Sequence, residues 1–368
     1  MAAFPPALGH DGLMTDADPV ALARGATDML LANAADSDDP AIGVQRCMLR
    51  WLAAKGLYSV AAPVHDGGLG HDERTLCEVE EVLAGADAAT WFVLTQHRSP
   101  QALTAGSAYP AADEYREALA RGDELGGIAI AHLRRPGTPA VRAEPDGSGG
   151  WRFSGRAEWC TGWELVDLML IAGVSDSGEA VFALLPAHER PGLRATEPYS
   201  LAVMGGTRTV GLEFSGMAVG SDEVAAVLGH EEWRRQDRGT VVDTKPATLG
   251  LLRRVIDETV RTGHDRERPA ALEEAQALAA TAWPLRERAY ELRFSSDRDR
   301  FVDERLSLRG RIAELTVRAA AGLVSARGGS AMLASSPEQR WSREAMFHLV
   351  QAQTDDVRSA QLAAFSHP

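Results

Sequence analysis

The spacing of apolar residues changes twice along this chain, and that change limits its fold more than any other feature. From about residue 18 to 122, apolar residues recur every three or four positions, as in "DPVALARGATDMLLANAA", "AIGVQRCMLRWLAAKGL" and "TLCEVEEVLAGADAATWFVL". That spacing predicts amphipathic helices, with Asp18 before Pro19 starting the first. From 125 to 220 the runs are short or alternate in twos, as in "LGGIAIAHL", "VDLMLIAGV", "AVFALLPA" and "TVGLEFSGMAV", with Gly, Pro and Asp between them. These read as an antiparallel sheet of six or seven strands. From about 244 the helical spacing returns. Leu308, Ile312, Leu315, Ala319 and Leu323 share one face, and a last helix is expected from about Ser342 to Ala364. The expected class is α+β: an N-terminal helical domain (1–122), a central antiparallel β domain of barrel or sandwich type (123–222) and a C-terminal helical bundle (223–368).

A length of 368 residues suits two or three packed regions. The formal charge of −14 repels phosphate backbones and anionic lipid, which argues against nucleic acid and membrane surfaces as partners. No apolar run is long enough to span a bilayer, and Cys47, Cys77 and Cys160 are scattered without CxxC spacing. A cytosolic protein with reduced thiols is the expectation. No Walker loop, Rossmann GxGxxG, HExxH or Ser-His-Asp order stands out.

Four places could carry chemistry. In "GGWRFSGRAEWCTGW" (149–163), Trp151 and Trp159 fall in step with Phe153, Gly155 and Ala157, which is a strand with one covered face. Its end, Trp159-Cys160-Thr161, either caps a sheet edge or offers an indole and a hydroxyl to a flat ligand. In "SARGGSAM" (325–332), Gly328 and Gly329 either end a helix or let an anion approach free amides. "HDGGLGHDE" carries His65, Asp66, His71 and Asp72 at spacings that match no standard metal-ligand set, so it reads as a solvated turn, and no metal site is expected. "HLVQAQTDD" (348–356) puts polar side chains in an apolar helical pattern, where they need partners or a function.

Taken in order, these segments resemble the acyl-CoA dehydrogenase family of flavoproteins over nearly the whole chain. "GLYSVAAPVHDGGLG" looks like its early "GL…P…GGLG" segment, and "ARGDELGGIAIAHL" matches the lead-in to its first strand. "SGRAEWCTG" matches G-x-K-x-W-I-T with Gly155, Trp159 and Thr161 in register. "VMGGTRTVGLEFSGMAV" looks like a shortened "MG-x-R…T…F-x-D-V-x-V", and "RGGSAMLASSPEQRWSREA" aligns with "GG-x-G…P-x-E-x-x-x-RDA". The resemblance implies FAD between the sheet and the C-terminal helices. Trp159 would pack near the ring, Thr161 would hydrogen-bond it, and Ala129 and Ala131 would offer backbone groups. Gly328 and Gly329 would admit a neighbouring subunit's FAD, and Thr354 falls on the Thr of the family's "EGT". A homo-oligomer, dimer or tetramer, is implied.

The sequence also departs from that family. Ala157 replaces a Lys, Ser325 replaces the Gln before the Gly pair, and "TGHDRERPAAL" offers no clear "RxxFG". The family's catalytic Glu falls on Ala352 in one subgroup and on Thr244 in another. Asp243 is the nearest substitute base, followed by Gln351, Gln353 and His348. The resemblance implies α,β-oxidation of an acyl thioester on CoA or a carrier protein. Two rivals stay open: a flavin monooxygenase of group D, and a flavin-free binding protein of a biosynthetic pathway.

Overall fold

The computed structural model describes residues 18–366. The N-terminal part holds α1 (Pro19–Asp38), α2 (Arg46–Ala54), α3 (Glu73–Ala86), α4 (Ala88–Thr95), α5 (Arg98–Ala105) and α6 (Pro110–Arg121). Asp18 caps α1, its carboxylate accepting from Val20 N at 2.9 Å. The apolar run predicted as one helix through residue 94 breaks at Asp87. With φ −147° this residue ends α3, and its carboxylate then accepts from Thr90 N at 3.0 Å to start α4.

Eight strands follow: β1 (Gly126–Ala129), β2 (Val141–Pro145), β3 (Trp151–Cys160), β4 (Leu168–Val174), β5 (Glu179–Pro186), β6 (Leu193–Ala195), β7 (Val210–Val219) and β8 (Val224–Gly229). They form one sheet in the order β6-β7-β3-β2-β4-β5-β8, with β1 added beside β4. The expected sheet is there, with eight strands in place of six or seven and two further differences. Its pairing is not wholly antiparallel, because β1 and β2 each run parallel to β4. Its closing strand, β8, lies beyond residue 222 and pairs with β5. Gly155 is obligatory in β3: at φ +129°, a Cβ there would stand 2.0 Å from Ala140 O.

The C-terminal part runs through α7 (His230–Val241), α8 (Pro246–Asp265), α9 (Pro269–Arg293), α10 (Val302–Arg327), α11 (Pro337–Val350) and α12 (Asp355–Ser366). The predicted face of α10 is buried from Leu308 to Leu323. The single last helix expected from 342 to 364 is two, parted at residues 351–354. Ala352 takes a left-handed φ of +46° there, and Thr354 Oγ1 accepts from Val357 N at 3.4 Å to start α12.

One apolar core joins the N-terminal helices to one face of the sheet through residues such as Leu52, Leu83, Phe153 and Val181; a second fills the C-terminal bundle around Leu252, Tyr290 and Ile312. Each such side chain contributes about 1.5–3 kcal/mol on burial. The two helical parts meet where α3 crosses α8 almost backbone to backbone. A Cβ at Gly250 would lie 2.1 Å from Glu81 O.

Candidate active site

A cleft of about 1870 Å³ opens where the ends of β1 and β3 face α4, α7 and the α11–α12 junction. Its sheet wall is shaped by a bulge. Between Ala157↔Leu212 and Cys160↔Val210, two residues of β3 stand opposite one of β7. Trp159 sits in that bulge at φ +64°, which turns the indole off the covered face and into the cleft, where it is 57% exposed. The alternation predicted Trp159 on the buried face; Cys160 takes that place instead, because the extra residue shifts the register. Tyr199 packs edge-on to the indole at 5.1 Å. Next along the wall, Thr161 Oγ1 lies 3.0 Å from Thr209 Oγ1, which lies 2.8 Å from Thr207 Oγ1, and that hydroxyl donates to Met204 O at 2.8 Å. An open indole face beside a buried hydroxyl chain suits a flat conjugated ring with a polar edge.

The candidate bases resolve differently from one another. Asp243 reaches the cleft wall, but its carboxylate is tied to Arg305 at 2.7 Å and Arg298 at 3.2 Å. It does not cap α8, whose first residue follows Lys245 without a side-chain cap. Thr244 is buried with its hydroxyl unpartnered among the described residues and does not reach the cleft. Ala352 does line the cleft, with a methyl group in the place of a carboxylate. Gln351, Gln353 and Thr354 line it too; Gln351 O accepts from Arg309 at 2.6 Å, and Gln353 Nε2 donates to Leu349 O at 3.0 Å. His348 lies just behind, with Nδ1 3.4 Å from Gln351 Oε1 and Nε2 unpartnered among the described residues. Burial pushes its imidazole down to about 4, so it is neutral near pH 7.

Of the remaining predicted residues, Ala131 lines the cleft, while Ala129 is buried in β1 behind it. Ser325, Gly328 and Gly329 stand elsewhere, at the far end of α10 beside the turn between α8 and α9. There Arg268 donates to Ala326 O, and Arg266 Nη2 reaches Ser330 Oγ at 3.4 Å. The two arginines come from "TGHDRERPAAL", the segment in which the sequence showed no counterpart to "RxxFG". The sequence reading also passed over three cleft residues. His132 is neutral, held at about 4 by burial, and its Nε2 pairs with Ala172 O at 3.1 Å. Trp91 has an indole nitrogen unpartnered among the described residues. Lys245 could have been found by counting, because Lys55 and Lys245 are the only lysines among 38 basic residues.

Helices, an eight-stranded sheet and a helical bundle around this cleft make up an acyl-CoA dehydrogenase-like fold. The chain aligns with butyryl-CoA dehydrogenase of Megasphaera elsdenii at a TM-score of 0.79 and 15% identity, covering 98% of this chain and 100% of that one. Indole-bound TdsC from Paenibacillus sp. A11-2 aligns at 0.78 and 20% identity, covering 95% and 96%. By sequence, dibenzothiophene monooxygenase of Rhodococcus erythropolis is 29% identical over 216 residues, which is 57% of this chain and 51% of that protein. The chain thus spans about half the length of the curated relatives it matches. No protein-family model matches it.

Proposed function

We propose that this chain is a flavin-dependent monooxygenase acting on a small molecule. One observation carries the choice over acyl thioester dehydrogenation. Neither place from which the resemblance would draw a carboxylate base holds a free one: Ala352 presents a methyl, Thr244 is buried away from the cleft, and neighbouring Asp243 is held by two arginines. A proton acceptor has to reach its proton directly. The sequence relatives named dibenzothiophene monooxygenase support the same reading.

A flavin fits the walls. Trp159 would cover the ring, Thr161 would hydrogen-bond its polar edge and Ala131 would offer backbone groups, with FAD as the proposed form. Bound there, it would supply the redox chemistry with oxygen, and the protein would supply orientation and exclude water. Trp91 and Phe92 on α4 and Phe347 on α11 give the cleft an apolar, aromatic flank for a substrate. A homo-oligomer is proposed with it.

The test is oxygen uptake and product formation with FAD, a separate flavin reductase with NADH, and indole or dibenzothiophene as probes. Product that depends on reductase and carries label from 18O2 is expected. Flavin reduction by butyryl-CoA without reductase would overturn this reading in favour of a dehydrogenase. A protein that neither shifts the FAD spectrum nor gains thermal stability from FAD would leave the binding-protein reading.

A further inference from the structure

Arginine serves as well as lysine wherever a fixed positive charge or a forked ion pair is needed, but only lysine gives up a proton in a protein's working range. This chain uses arginine at all but two of its 38 basic positions, and one exception, Lys245, stands on the cleft wall. It immediately precedes α8 and follows Asp243 and Thr244, a stretch with no free carboxylate. Its Nζ donates to Thr240 O at 3.1 Å and forms no ion pair among the described residues.

The charged groups around it are mostly cationic. Arg309 comes from α10, is 4% exposed and, among the described residues, bonds only to the carbonyls of Val241 and Gln351. Arg293 comes from the end of α9 and lies against the ring of Phe294. Arg134, from the turn after β1, is tied to Asp237 of α7 at 2.7 Å. The nearby carboxylate of Asp243 is engaged by Arg305 and Arg298. Poor hydration, then the charges of Arg309 and Arg293, push the Lys245 ammonium well below the usual lysine range.

We propose that Lys245 is the proton acceptor of this cleft, taking the acidic proton of a bound substrate onto its neutral amine. The substrate's X–H bond breaks, its electron pair stays on X, and a new N–H bond forms at Nζ. The resulting ammonium faces the new anion, which supplies the negative charge this group of cations lacks. The step consumes no oxidant. An amine of such lowered basicity suits an ionisable O–H and not the α C–H of a thioester, so the step rests on the monooxygenase reading, which supplies the oxidation that follows.

Two lysines make a direct test simple. Reductive methylation of the whole protein with 13C-formaldehyde labels Lys55, Lys245 and the chain's amino terminus, and Lys245→Arg assigns the Lys245 resonance. That resonance is expected to titrate at lower pH than that of Lys55; titration of the two together would overturn the proposal. Should Lys245→Arg not fold, Lys245→Gln makes the assignment. Lys245→Arg keeps the charge but cannot accept a proton, so turnover with a phenol probe, whose O–H a neutral amine can ionise, should fall about 100-fold or more with probe binding little changed. Undiminished turnover in that variant would also overturn it. The titration needs no substrate, reductase or oxygen. A low-titrating Lys245 in a protein that oxygenates nothing therefore supports this assignment while overturning the monooxygenase reading.

Discussion

Asp243 shows how far a single residue can be read without its neighbours. In the sequence it stands two residues before Lys245 and three before a helix-starting Pro246, so it reads as a cap or a base. The structure makes it the counter-ion of Arg305, which is itself 2% exposed. No local pattern announces that pair, because its partner lies 62 residues away. Asp243→Asn would leave Arg305 buried without its anion, a change that costs about 3–5 kcal/mol. Chemical denaturation should show a loss of that order. Native stability combined with lost turnover would mean that Asp243 acts as a base after all.

Glu344, on α11, offers a second residue-scale prediction. Burial raises its carboxyl from an ordinary 4.5 to about 7, with Arg340 opposing and Asp38 and Asp87 assisting. The folded protein therefore holds that proton more tightly than the unfolded chain does. The stabilisation is complete below about 4.5 and is lost as pH rises through about 7. The shift corresponds to about 3 kcal/mol across that window. Glu344→Gln should flatten this dependence, so that wild type loses more melting temperature than the variant between pH 5 and pH 8. Parallel curves would assign the burial of Glu344 no such role.

At the scale of elements, what was legible followed periodicity. The buried face of α10 and the strands of the sheet appear where the spacing put them, because those patterns are set by burial, on one side for α10 and on both for β4 and β5. What was illegible arose where a local device interrupts the period. The bulge that turns Trp159 outward adds a residue without changing the apolar pattern up to Ala157. The break at residues 351–354 hides in a polar stretch that a helix could also have carried. The parallel partners of β4 depend on chain path, which spacing does not encode. The α3–α8 crossing was invisible for a different reason: Gly85 and Gly250 are ordinary helix-interior glycines until the helices meet. Gly250→Ala would force a methyl against Glu81 O and the helices apart, destabilising by about 1–3 kcal/mol. Unchanged thermal unfolding would show that the crossing yields without strain.

At the scale of the whole molecule, the cleft and the Gly328–Gly329 edge are the parts of the implied cofactor site that one chain does not bring together. Trp159 and Thr161 line the cleft, whereas Gly328 and Gly329 stand at the other end of the 26-residue α10, beside Arg266 and Arg268. Met332 and Leu333, beside the Gly pair in sequence, and Leu362 and Phe365, on α12, present apolar side chains to the surface. Exposed apolar side chains of this size offer surface for binding another molecule, and closed symmetric pairing of identical chains is the commonest way to cover it. If a second copy covers them, its Gly pair and arginines become available to the far end of a cofactor seated in the first copy's cleft. Assembly and cofactor affinity are then linked. Light scattering at micromolar concentration should give at least a dimer. Substituting Leu362 and Phe365 by Glu should lower the mass and weaken FAD binding together, with the fold retained by circular dichroism. A dissociated variant that binds FAD as tightly as wild type would show that each cleft holds its cofactor alone.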